Sequence, residues 1–302
     1  MTNRHFRTTL DLRPDELLGL IDRAIAFKNG KFKKRKPLKE KSIGLFFEKP
    51  STRTRVSFEV AIYQLGGNTV NLNPKEMQIG RGETLSDTAR VLSRYLDGIV
   101  FRVLSHRTIE TFADYSGIPV INGLSDIYHP CQALADLMTI KECKDRLDGI
   151  KVAYVGDGNN VAHSLIQSCV CADMELILAC PDEYQPDSSI LMEMKDRFKK
   201  DIKVITDPIE AVRDADVVYT DVWISMGQEN DKEKKIEILK KFQLNSELIS
   251  LAKKDAIVLH CLPAYRGFEI TDEVIDGKQS RVFDQAENRL HTAKALLDFL
   301  IK

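Results

Sequence analysis

Lys151-Val152-Ala153-Tyr154-Val155-Gly156-Asp157-Gly158-Asn159-Asn160-Val161 passes from an apolar run, through a turn of glycines and polar residues, into a stretch of helical spacing that continues to Ala172. The run is short, as a buried strand is, and the stretch after it is long enough for three turns of helix. A strand that feeds a helix in this way opens a βα unit. A chain of such units builds a parallel sheet with helices on both faces.

The same alternation runs outward in both directions. Towards the C-terminus, Glu175 to Ala179, Asp216 to Thr220 and Ala256 to Leu259 read as strands, and Asn245 to Ala252 as a helix. A last helix spans Gln285 to Leu300, with Ala286, Leu290, Ala293, Leu297 and Leu300 on its apolar positions. Towards the N-terminus, Ile43-Gly44-Leu45-Phe46-Phe47 reads as a buried strand. After it, Val56, Val60 and Tyr63, with Phe58, Ala61 and Leu65, fall at helical spacing. Leu85, Ala89, Leu92 and Leu96 form a second helical stripe, which Thr84 with Asp87 can cap. Asp97-Gly98 turns into the strand Ile99-Val100-Phe101, and Pro119-Val120-Ile121 is another. A helix with proline in its first turn runs from Pro130 to about Lys144, facing Leu134, Leu137 and Ile140 inward. Leu147-Asp148-Gly149 breaks the pattern. The fold class is therefore α/β, with two doubly wound parallel-sheet domains joined by helices, residues 1–147 and 148–284. In such sheets ligands bind beyond the carboxyl ends of the strands.

Composition narrows the function classes. The 302 residues favour two domains, and 43% hydrophobic residues can bury a sizeable core. Lys and Arg number 44 against 45 Asp and Glu, which argues against a general nucleic-acid binder. The basic run Lys31, Lys33, Lys34, Arg35, Lys36, Lys39 and Lys41 is read as a solvated loop. No apolar run approaches bilayer length, and Met1 to Arg7 lead into no apolar signal core, so a cytoplasmic location without a membrane is expected. Cys131, Cys143, Cys169, Cys171, Cys180 and Cys261 form no C-x-x-C pair, which points to reduced thiols and away from a zinc knuckle.

Chemistry concentrates at predicted strand ends. Glu48-Lys49-Pro50-Ser51-Thr52-Arg53-Thr54-Arg55 gathers hydroxyls and guanidiniums where a helix opens, and free helix N–H groups with arginine forks suit an anion such as phosphate. Arg102 ends a strand and can add a cation; His129-Pro130-Cys131-Gln132 precedes a helix. His129 can donate to a carbonyl or act as an ordinary cap, and no carboxylate–histidine set at ligand spacing argues for a metal. Gly156 to Asn160 is a weak dinucleotide fingerprint, since Val161 stands where the third glycine belongs; its asparagines can instead hold a carboxylate or amide. Asp221-Val222-Trp223-Ile224-Ser225-Met226-Gly227 places a carboxylate where a cationic amine can meet it, ahead of a polar stretch with the look of a lid or a plain surface loop. Cys261, in His260-Cys261-Leu262-Pro263, can be a nucleophile, orient an amine or be simply buried.

In their order, S-T-R-T-R-x-S-F-E, H-P-x-Q-A-L-x-D, D-x-x-x-S-M-G and H-C-L-P, with Phe283-Asp284-Gln285-Ala286-Glu287-Asn288-Arg289 near the end, resemble the aspartate/ornithine carbamoyltransferases over nearly the whole chain. The first two motifs are shared across that family, and the last two of the four resemble its ornithine branch. The resemblance implies carbamoyl phosphate and L-ornithine as substrates, no cofactor and no metal, and a homotrimer with sites shared between subunits. It implies that the helix 285–302 packs back on the first domain. Ser51, Thr52, Arg53 and Thr54 would hold the phosphate; Arg102 would bridge phosphate and carbonyl; His129 and Gln132 would hold the carbamoyl end. Gln78 would reach a neighbouring subunit's site. Asn160, with Asn159 as rival, would bind the ornithine carboxylate, while Asp221, Ser225 and Met226 would hold the amino acid's backbone end. Cys261 and the Leu262 carbonyl would face the reacting amine, Arg289 would touch the carbamoyl group, and the Leu262-Pro263 bond would be cis. Cys131 departs from the threonine that relatives often carry, and the connection from H-C-L-P to the closing motif is short. The rival readings are transfer to another amine, such as putrescine or N-acetylornithine, a nicotinamide dehydrogenase, and a non-enzymatic phosphometabolite-binding module.

Overall fold

The computed structural model describes residues 4–78, 82–224 and 232–302. The chain divides into two compact units, Met1–Met138 with Glu287–Lys302, and Thr139–Ala286. The predicted break at Leu147-Asp148-Gly149 begins nine residues after Met138, beyond this division and past the end of the helix Pro130–Lys144.

The first unit begins with α1 (Pro14–Lys28), β1 (Ser42–Phe47), α2 (Thr52–Gln64) and β2 (Asn68–Leu72). It continues through α3 (Leu85–Leu92), β3 (Gly98–Arg102), α4 (His106–Tyr115), β4 (Val120–Leu124) and the first part of α5 (Pro130–Lys144). Its four strands are parallel in the order β2-β1-β3-β4. The order reverses between β1 and β3, where Phe47 pairs with Arg102. That switch point puts the start of α2 and Arg102 beside the same crevice. The core is apolar and aromatic: Phe46, Phe101 and Phe112 stack in series at centroid distances of 5.0 and 4.8 Å.

The second unit carries β5 (Lys151–Val155), α6 (Asn160–Cys171), β6 (Glu175–Ala179), α7 (Ser188–Phe198), β7 (Lys203–Ile205) and α8 (Pro208–Val212). There follow β8 (Val217–Thr220), α9 (Lys232–Leu239), α10 (Ser246–Ile249), β9 (Ile257–His260) and α11 (Asp272–Ile275), then α12 (Val282–Leu300), most of which belongs to the first unit. Its five strands are parallel, β7-β6-β5-β8-β9, and the order reverses between β5 and β8. Val152 to Val155 are fully buried, as a central parallel strand covered on both faces requires.

Several predicted elements differ in extent for local reasons. Thr84 does cap α3, its hydroxyl accepting the Asp87 N–H at 3.1 Å. The helix nevertheless stops at Leu92, because the Ser93 hydroxyl bonds Ala89 O and receives the Gly117 N–H. The helix expected over Asn245 to Ala252 is the single turn α10, capped by Asn245. Strand β2 escaped detection because it is a half-exposed edge with asparagine at two of five positions. In the basic run, Arg35 reaches Asp298 at 2.9 Å, Lys36 the Gln64 carbonyl, Lys39 Glu40 and Lys41 Asp97. Arg23 joins Arg35 on the buried Asp298, which ties α12 to the first unit. Among the described residues no helix is long and apolar enough to cross a membrane.

Candidate active site

In the first unit three distant motifs meet on one guanidinium. Arg289, 3% exposed on α12, donates to Gln132 Oε1 at 2.6 Å and to Thr54 Oγ1 at 3.0 Å. Gln132 Nε2 donates in turn to the buried Asp136 Oδ1 at 2.8 Å, one turn along α5, which fixes the amide orientation. Sequence reasoning gave Asp136 no role, although it stands as the final D of H-P-x-Q-A-L-x-D. Gly123 is needed here: a Cβ would lie 2.9 Å from Phe101 O and 3.2 Å from Thr54 Cγ2.

Ser51 occupies the N-cap of α2 in extended conformation, and the first turn contains no acidic residue. The helix start therefore keeps its positive end uncompensated from within. Arg55 turns away to Glu59 at 3.1 Å on the exposed face, leaving Arg53 as the arginine of this turn that acts on His129. His129 is buried, and burial first, then Arg289, Arg102 and Arg53, hold its imidazole well below the usual histidine pKa. It is thus a neutral donor at neutral pH, surrounded by three cations suited to a phosphorylated substrate. Cys131 donates to Asn122 O at 3.2 Å, and burial pushes its thiol up to about 12, so it is inert. Gln78 is exposed at the end of the turn after β2.

In the second unit the switch point gathers Asn159, Asn160, Asp221 and Cys261. Asn159 caps α6, its oxygen accepting the Val161 N–H at 2.9 Å and the Ala162 N–H at 3.3 Å. Its Nδ2 donates to Asp221 Oδ2 at 2.8 Å, and Cys261 Sγ donates to Asp221 Oδ1 at 2.7 Å. Asp221 is 3% exposed at the end of β8, and Asn160, the first residue of α6, is partly exposed. Leu262 follows at φ 57° with a cis bond to Pro263. Its N–H donates to His260 Nδ1 at 2.9 Å, and His260 Nε2 meets the buried Glu269 at 3.1 Å. Ser225 and Met226 lie outside the described residues.

Asp221, His260 and Cys261 offer ligand atoms within 4.8 Å of one another, a cluster invisible to spacing because it joins two strand ends. Both His260 nitrogens are engaged, however, so a cation there would have to break the bonds that shape the Leu262 turn. The glycine turn is likewise occupied by its own chain. Gly158 donates to Tyr184 O at 2.8 Å, and a Cβ on it would fall 2.2 Å from Pro186 N. Gly158 serves close chain packing, and the turn offers no open bed for a dinucleotide pyrophosphate. Beside it, Lys235 pairs with Asp157 at 2.7 Å, both side chains under a tenth exposed, and sequence reasoning missed the pair because 78 residues separate them.

Residues 4–142 match the family described as aspartate/ornithine carbamoyltransferase, carbamoyl-P binding domain, and residues 148–300 match its Asp/Orn binding domain. The ornithine carbamoyltransferase of Methanocaldococcus jannaschii is 49% identical over 96% of this chain and 97% of its own length. That of Nitrosococcus oceani is 52% identical over 100% and 98%. Among solved structures, the Pyrococcus furiosus ornithine carbamoyltransferase superposes with a TM-score of 0.94 at 47% identity, covering 99% of this chain and 97% of its own. An anabolic ornithine carbamoyltransferase from Campylobacter jejuni gives 0.91 at 43%, covering 98% of each. Matched in both halves and along nearly its full length, the chain belongs to the aspartate/ornithine carbamoyltransferase family of transferases.

Proposed function

We propose that this protein transfers the carbamoyl group of carbamoyl phosphate to the δ-amine of L-ornithine, giving L-citrulline and phosphate. The observation that carries the reading is the buried Arg289, on which the start of α2, the start of α5 and the closing motif converge. In this account Ser51, Thr52, Arg53 and Thr54 bind the phosphate with Arg102, and Gln132 and Arg289 hold the carbamoyl group. The neutral δ-amine attacks the carbamoyl carbon directly. A free amine of this kind has a pKa of about 10.4, so the site must select its neutral form. The new C–N bond leaves an oxyanion, stabilised by Thr54, Arg102 and His129. Its collapse breaks the bond to phosphate, whose charge Arg53 and the helix end already balance, and the proton shed by nitrogen can leave on that phosphate. Supporting the electrostatics, His129 is neutral, so its imidazole can serve as a polarised hydrogen-bond donor.

Asn160 and Asp221, with Ser225 and Met226, bind the amino acid end, and Cys261 and the Leu262 carbonyl orient the reacting amine. Putrescine lacks the carboxylate that Asn160, with Ser225 and Met226, would hold, and the carboxylate at Asp221 favours ornithine over N-acetylornithine, whose α-nitrogen carries no charge. The anabolic relative supports a role in arginine biosynthesis. A cytoplasmic homotrimer, with Gln78 entering the neighbouring subunit's site, completes the proposal. The test is citrulline formation by the purified protein with carbamoyl phosphate, offering ornithine, putrescine, N-acetylornithine and aspartate in parallel. Preference for ornithine is expected; preference for another amine would overturn the assignment of the second substrate.

A further inference from the structure

Asn159 spends its side-chain oxygen and one of its two amide N–H groups inside the protein. Its oxygen is identified by the two helix N–H groups it accepts, since a flipped amide would set NH2 against two donors. The NH2 must therefore face Asp221, where it donates at 2.8 Å. Asp221 is buried at a strand end and receives a hydrogen bond on each oxygen, from Asn159 and from Cys261. Each oxygen keeps a second lone pair for an incoming cation. The amide thus joins the fixed N-terminus of α6 to a carboxylate whose other side-chain partner among the described residues is the Cys261 thiol. We propose that Asn159 is the positioning residue for Asp221, setting the carboxylate that receives the ornithine ammonium and leaving the ligand role at this turn to Asn160. This rests on reading the second unit as the ornithine half-site.

Two variants separate capping from positioning. Asn159→Ser keeps a good N-cap but is too short to reach Asp221. Asn159→Asp keeps the cap and turns an oxygen towards Asp221, so the two carboxylates repel unless they share a proton. For Asn159→Ser the ornithine KM rises about ten- to a hundredfold, the range of one charge-assisted hydrogen bond, while the carbamoyl phosphate KM stays within about twofold. For Asn159→Asp the ornithine defect deepens as pH rises, because the shared proton is lost. In an Asp221→Asn background, Asn159→Ser adds little further loss, since its effect runs through Asp221. Additive losses, or an equal rise in both KM values, would show a merely structural cap and overturn the inference. An Asn159→Ser protein with wild-type ornithine kinetics overturns it as well. Absence of citrulline from the wild-type protein is a different failure: it removes the ornithine reading, and the inference with it.

Discussion

Replacing Lys235 by methionine tests the electrostatics beneath the Gly156–Asn160 turn. Lys235 Nζ lies 2.7 Å from Asp157 Oδ2 and 4.7 Å from the Tyr184 ring centroid, with the two charged side chains only 4% and 7% exposed. Burial pushes the Asp157 carboxyl up to about 6, with Lys235 pulling it back down. Removing the ammonium strands a buried carboxylate, a change that costs about 3–5 kcal/mol when the charge must stay. Asp157 can escape by holding a proton, since without Lys235 its pKa rises further. The sign follows. In the variant the native state keeps a proton that the unfolded chain releases near pH 3.9, so stability falls as pH rises. Relative to wild type, the loss grows above about pH 6 by about 1.4 kcal/mol per pH unit until the variant's own pKa is passed. Across about two units that is nearly 3 kcal/mol, or about 5–10 °C in melting temperature for a unit of this size. Thermal melts of wild type and Lys235→Met at about pH 6, 7 and 8 measure it. In the Asp157→Asn, Lys235→Met double variant, which has no buried charge to strand, the added pH dependence vanishes. If Lys235→Met tracks wild type in parallel at every pH, the pair does not carry this charge and the reasoning fails.

Arg53→Ala and Arg102→Ala are each expected to abolish turnover while circular dichroism and melting stay close to wild type, because the proposed reaction assigns both cations to the phosphate rather than the core; near-normal activity in both would contradict those roles. For His129, burial and three arginines depress the native pKa, so its ring NMR signals should not titrate between about pH 6 and 8. By linkage, the unfolded chain takes that proton first, so the His129 contribution to stability is lost as pH falls below about 6.5.

The sequence shows the periodic parts of this molecule well. Every strand predicted from a short apolar run, from Ile43–Phe47 to Ala256–Leu259, overlaps a strand of one of the two parallel sheets. What escaped includes the amphipathic helices α4 and α7, the three-residue strand β7, and elements carried by residues that pattern does not weigh. Strand β2 is polar and lies on an edge, and α10 is one turn long because capping rather than periodicity defines it. Of the candidate site, motif order brought forward Thr54, Gln132 and Arg289; the first two each accept a hydrogen bond from Arg289, from up to 235 residues away. The partners that orient them did not stand out. Asp136 behind Gln132, Glu269 behind His260 and Lys235 beside Asp157 are ordinary charged residues until folding buries them. Sequence alone put Asn160 first with Asn159 as a close rival, and could not show that Asn159 caps α6 and bonds Asp221.

The most direct measurement is NMR of a turnover mixture containing carbonyl-13C carbamoyl phosphate and δ-15N ornithine. The account predicts citrulline with a direct 13C–15N coupling, phosphate released in equal amount and no carbon label on the protein. Protein-dependent phosphate release without ornithine, carbon label retained on a side chain, or a carbamoylated product that lacks the direct 13C–15N coupling would contradict direct transfer to the δ-amine.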